Sequence, residues 1–83
     1  MHVQLKLFAS LTAFLPKSAE RNIASLEVAE GTSVQALLDM HNVPPEHCHL
    51  VMLNGVYQAP ENRDSAQLKD GDALAVWPPV AGG

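Results

Sequence analysis

At the start of the chain, Val3, Leu5 and Leu7 alternate with Gln4, Lys6 and Phe8. This is the period of a strand with one buried face, and it predicts β structure over about residues 2–9. Ala24, Leu26 and Val28 alternate in the same way against Ser25 and Glu27. They predict a second strand, joined to the first as a wide hairpin through an apolar loop or broken helical turn holding Leu11, Phe14, Leu15 and Pro16. The period then lengthens. Val34, Leu37, Leu38 and His41 recur at i, i+3, i+4 and i+7, giving one apolar helical stripe. Thr32 is placed to cap that helix, Gln35 to complete a capping box, and Pro44-Pro45 to end it. Leu50 to Leu53 reads as a short strand, and Asn54-Gly55, the strongest hairpin dipeptide, leads into Val56-Tyr57. Asp70-Gly71 predicts another tight turn before a last strand from Ala73 to Trp77.

The order is β-β-α-β-β-β, an α+β chain that buries one main helix against one mixed sheet. The first and last strands are the natural central pair, and the crossover before the last strand allows it to run parallel to the first. That arrangement is a β-grasp, or ubiquitin-like, roll over residues 1–77, followed by an extended tail over 78–83. Parity adds a detail. With Leu74 and Val76 facing the helix, Trp77 points to the opposite face, and Phe8 has the same outward parity beside Val3, Leu5 and Leu7. Two outcomes are open: a hydrophobic docking patch at the root of the tail, or aromatics that turn inward to finish a small core.

The tail itself reads Trp77-Pro78-Pro79-Val80-Ala81-Gly82-Gly83. Proline fixes φ near about −65° and drives the residue before it into extended conformations, so the tail is expected to leave the body as a strut. Glycine has no Cβ, and a Gly-Gly end fits a channel little wider than the peptide. The terminal carboxylate is ionised at neutral pH and unreactive toward nucleophiles, so it needs activation by a partner before anything can be attached to it.

Composition narrows the classes. Eighty-three residues make one domain; 47% hydrophobic and 17% charged residues fit an ordered chain. A formal charge of −4 with scattered basic residues argues against a nucleic-acid surface and favours a basic partner. No targeting segment opens the chain, and no apolar run approaches the ~20 residues of a membrane span, so cytoplasm is the expected location. A single cysteine, Cys48, excludes an internal disulfide. His47-Cys48-His49, with His41 nearby, is the one ligand-rich cluster, but two alternate histidines make a thin metal site, and solvated histidines around a buried inert cysteine are expected instead. The carboxylates at Asp39, Glu46, Glu61 and Asp64 show no catalytic spacing, and no phosphate-binding glycine loop is present.

Leu7-Phe8-Ala9, Leu68 through Asp70-Gly71-Asp72, and the Trp-Pro-Pro-Val-Ala-Gly-Gly ending together resemble the MoaD/ThiS-type sulfur carriers, most closely the molybdopterin synthase small subunit. The stretch from Pro44 to Gly55 is more similar to less characterised carriers of the same superfamily. The resemblance implies a chain that is not catalytic by itself and forms the small subunit of a sulfurtransferase. A ubiquitin-activating-like enzyme adenylates Gly83 with ATP, a sulfur donor protein converts it to a thiocarboxylate, and a larger catalytic subunit receives the tail in molybdenum cofactor biosynthesis. Gly83 then carries the chemistry. Gly82, Ala81, Val80, Pro79, Pro78, Trp77 and Phe8 meet the partner, and neither metal nor bound cofactor is implied. Alternatives are a carrier for thiamine, cysteine or another sulfur metabolite, a protein modifier joined to lysines through Gly83, and an interaction domain with an inert tail.

Overall fold

The computed structural model describes residues 1–80. Five strands, β1 (His2–Leu7), β2 (Ile23–Glu27), β3 (Leu50–Leu53), β4 (Val56–Tyr57) and β5 (Ala73–Trp77), form one mixed sheet in the order β2-β1-β5-β3-β4. The single α-helix among the described residues, α1 (Val34–Met40), lies between β2 and β3 in sequence. β1 and β5 run parallel, with Leu5 opposite Leu74 and Leu7 opposite Val76; every other pairing is antiparallel. This is the β-grasp arrangement expected from the order of elements.

The alternation along the strands sorts the side chains as expected. Leu5, Leu7, Leu74, Val76 and Val51 are fully buried together with Val34, Leu37 and Leu38 of α1. Each such side chain contributes roughly 1.5–3 kcal/mol by leaving water. His41, expected at the end of the same stripe, is only half-buried.

Three local expectations are corrected. β1 ends at Leu7 rather than residue 9, because Ala9 takes a positive φ of 52° and turns the chain into a 3-10 helix over Ala9–Phe14. The helix cap is Ser33, not Thr32: the Ser33 hydroxyl accepts from the Ala36 N–H at 3.0 Å, a bond of about 1 kcal/mol. The Thr32 hydroxyl instead donates back to the Ala29 carbonyl, and Gln35 reaches forward to Asp39, so no capping box forms. The helix also stops before the prolines. Asn42, at φ 59°, sits in the left-handed region, with its N–H on the Asp39 carbonyl and the Val43 N–H on the Leu38 carbonyl, which is a Schellman ending.

The tight turns follow their residues. Asn54 and Gly55 both have positive φ, 51° and 83°, as a two-residue type I′ hairpin requires. Asp72 is buried at the foot of β5, where one carboxylate oxygen accepts from the Asn54 amide at 2.8 Å and the other from the Lys69 N–H at 2.7 Å. The Asn54 side chain closes the link by accepting from the Ala73 N–H at 2.9 Å. These bonds join the β3–β4 turn to the start of the last strand.

Candidate functional site

β5, the central strand, carries the chain to one end of the sheet, and Trp77 is its last residue. Because side chains alternate, a buried Val76 obliges Trp77 to face away from α1. Phe8 follows β1 with the same parity and continues the ladder through its N–H to the Val76 carbonyl at 3.1 Å. The two rings stack, with centroids 4.3 Å apart and planes inclined by 6°. Both are half-buried and neither is among the side chains of the core. The rings thus face outward and do not turn inward to finish the core.

The register extends this surface. Leu50 lies opposite Trp77, Met52 opposite Ala75, and Tyr57 opposite Met52, so these side chains share the open face. Leu50, Ala75 and Met52 are half-buried, and Tyr57 is 52% exposed. Lys6, opposite Ala75 on β1, adds one positive charge beside the apolar band. Sequence reading found the two aromatics but not Leu50 or Met52, whose place on this face follows only once the β3–β5 register is known.

Pro78 is half-buried, Pro79 is exposed, and Val80 is 79% exposed, so the first three tail residues move progressively away from the body. The expectations for Ala81, Gly82 and Gly83 lie outside the described residues.

The histidine-cysteine cluster is dispersed. Cys48 is buried, its thiol donating to the Pro44 carbonyl at 3.5 Å, whereas His47 and His49 are exposed. Burial pushes the Cys48 thiol pKa above its ordinary value, Arg63 pulls it down, and Asp39 and Glu46 push it further up. The net rise suits an inert thiol rather than a nucleophile. Among the described residues no group of three or more His, Cys, Asp or Glu is arranged to hold a metal ion. No helix among them is long and apolar enough to cross a membrane.

Sequence reading missed Arg63. It is 4% exposed; Nε donates to the Gln58 carbonyl and Nη1 to the Cys48 carbonyl, both at 3.0 Å, while Nη2 is buried without a partner among the described residues. No local pattern announces a buried arginine in a polar loop.

The sequence profile of the ThiS family matches residues 5–83. The chain belongs to the ThiS family. As a member, it is a ThiS/MoaD-like sulfur carrier or ubiquitin-like modifier. SAMP1 from Haloferax volcanii is similar over the whole of both chains, at 25% identity and a TM-score of 0.70. The thiamine biosynthesis protein ThiS from Geobacter metallireducens also matches over the whole of both chains, at 24% identity and a TM-score of 0.66. A third similar chain, from the complex of subunits 1 and 2 of the molybdopterin-converting factor of Helicobacter pylori 26695, is 23% identical, with full coverage of both chains and a TM-score of 0.60. At such identities the latter two show that the chain shares their fold. No functionally curated protein matches the chain.

Proposed function

We propose that this ThiS-family chain is a sulfur carrier for molybdopterin, and so molybdenum cofactor, biosynthesis, with Gly83 as the residue that carries the sulfur. The observation behind this reading is the way β5 runs from the core directly into Trp77-Pro78-Pro79, with the Phe8–Trp77 stack at the root. A rigid body, an apolar docking face and a narrow tail are what a carrier needs to present its terminus to an enzyme. The aromatic-Pro-Pro-Val-Ala-Gly-Gly ending turns the choice toward molybdopterin rather than thiamine.

The chemistry requires partners. The Gly83 carboxylate attacks the α-phosphate of ATP in the active site of a ubiquitin-activating-like enzyme, pyrophosphate leaves, and an acyl-adenylate forms. Sulfide from a donor protein then displaces AMP to give the thiocarboxylate. The larger subunit of a molybdopterin synthase would take that sulfur. The Helicobacter pylori complex of subunits 1 and 2 supports this kind of partner. The role of this chain is to dock, through Phe8, Trp77 and the adjoining apolar face, and to hold the tail in line.

Similarity to SAMP1 over the whole chain favours a second reading, in which the activated Gly83 forms an isopeptide bond with a lysine of a target. Intact mass of the untagged protein from its native host separates the two. A species heavier by the difference between sulfur and oxygen, reactive with thiol reagents and lost when Gly83 is deleted, is expected of the carrier. High-mass conjugates that depend on Gly83, without that species, would replace the carrier with the modifier. Neither product would leave an inert tail.

A further inference from the structure

His47-Cys48-His49 lies beside the root of the tail. Leu50 pairs with Trp77 in the antiparallel β3–β5 ladder, and the His49 N–H donates to the Trp77 carbonyl at 3.0 Å. The Cys48–His49 peptide therefore sits against the end of β5: its N–H holds the carbonyl of Trp77, the last residue of the strand before Pro78. Whatever fixes that peptide helps fix the point from which the tail departs.

Arg63 does so from beneath. Its guanidinium bonds the carbonyl of Cys48 on one side and that of Gln58 on the other, so it joins the approach to β3 to the segment after β4. Its own carbonyl accepts from the Gln35 N–H in the first turn of α1. Cys48 is plugged into the core at 6% exposure, and its N–H is on the Pro45 carbonyl. Among the described residues no carboxylate forms an ion pair with Arg63, and Nη2 is left without an acceptor. A buried cation with neither counter-charge nor full hydrogen bonding is a poor source of stability. What the guanidinium does supply is a planar fork that holds two carbonyls of separate segments in fixed relation, which an ammonium cannot reproduce.

We infer that Arg63 is a positioning residue for the C-terminal tail, setting the direction in which Pro78-Pro79 leave the sheet through Cys48 and the His49–Trp77 hydrogen bond. The diproline makes that direction matter, because a stiff segment carries an angular error outward instead of absorbing it. A partner with a narrow channel binds only those carriers whose tail points into it, so loss of the clamp reduces the competent fraction and raises the apparent KM, while the rate of the bound complex is kept. The inference rests on the carrier reading above.

The test compares Arg63→Lys with Val28→Ala, which trims the core beside Met1, at the opposite end of the sheet from the tail. ATP–pyrophosphate exchange by the host's ubiquitin-activating-like enzyme is followed against carrier concentration. Hydrogen exchange of the His49 amide is read beside that of Val76. Arg63→Lys is expected to raise KM roughly tenfold at unchanged kcat, as a tenfold loss of competent tails would, and to speed exchange at His49 but not at Val76. Val28→Ala is expected to alter neither KM nor the His49 amide. Equal KM in wild type and Arg63→Lys overturns the inference, and so does an equal rise in both variants, which would mean lost stability alone. Should the lysine variant fail to fold, Arg63→Gln takes its place. If the wild-type carrier supports no exchange reaction, the carrier reading is what fails; the His49 amide still reports the clamp, and its unchanged protection in Arg63→Lys would overturn it separately.

Discussion

The two ends of β5 solve opposite problems. At its start, Asp72 and Asn54 bind each other and the backbone of Lys69 and Ala73, the His2 N–H donates to Asp70, and the Gly71 N–H donates to the His2 carbonyl. These polar groups bond to one another within the chain. At its finish, Trp77 and Phe8 stack on the open face beside the half-buried Leu50, Ala75 and Met52, and the tail residues become more exposed from Pro78 to Val80. The first end closes the sheet, and the second leaves apolar surface and a strand extension for something else to cover. The contrast shows how a small domain can carry an uncovered apolar face: its polar cross-links are concentrated at the other end of the central strand.

The sharpest break of this contrast is Trp77→Ala. Partner affinity is expected to fall by about 2 kcal/mol or more, roughly thirtyfold, as for a buried aromatic anchor. The variant should stay folded with a thermal midpoint lower by several degrees, since the lost stack costs about 0.5–1.5 kcal/mol beyond the ring's partial burial and about 1 kcal/mol shifts a domain of this size by roughly 4–8 °C. Titration calorimetry alongside thermal melting measures both, and a melted Trp77→Ala protein would mean that the aromatics serve the core. Asp72→Ala is the converse. It removes charge-assisted bonds at the closed end, so denaturant unfolding is expected to show a loss of about 1.5–3 kcal/mol; partner affinity measured below the transition should be unchanged. An affinity loss matching that of Trp77→Ala would erase the distinction between the ends.

The smallest effect concerns Cys48. Because burial raises its pKa in the folded state, the folded chain holds the thiol proton where the unfolded chain has begun to lose it. The associated stability is fully present below the ordinary thiol value of about 8.5 and declines as pH rises through that value toward the folded pKa. Cys48→Ala should flatten this alkaline decline while lowering stability at neutral pH through the small cavity it leaves. An alkaline slope identical in both proteins would assign the decline to another group.

What the sequence made legible follows from the range of each interaction. Strands, turns and the placement of Phe8 and Trp77 follow from period-two alternation and turn dipeptides, both local. The choice of Ser33 over Thr32 was not legible, since two adjacent hydroxyls offer the same chemistry and only backbone dihedrals decide between them. Asn42 was passed over for the more conspicuous Pro44-Pro45, although a single asparagine in the left-handed region suffices to end a helix. Leu50 and Met52 join the open apolar face only through the register of β3 on β5. Arg63 was invisible because its acceptors, Cys48 and Gln58, lie in segments brought together only by the completed sheet.

The parallel pairing of β1 with β5 has a mechanical consequence. The tail departs from the end of β5, while the amino terminus enters at the start of β1, so the two lie at opposite ends of the central pair. Tension between them loads the interstrand bonds in shear, and these must yield together instead of peeling one after another. A molecule gripped by its tail and drawn from its other terminus would therefore resist unravelling, with β5 acting as an anchor wedged between β1 and β3.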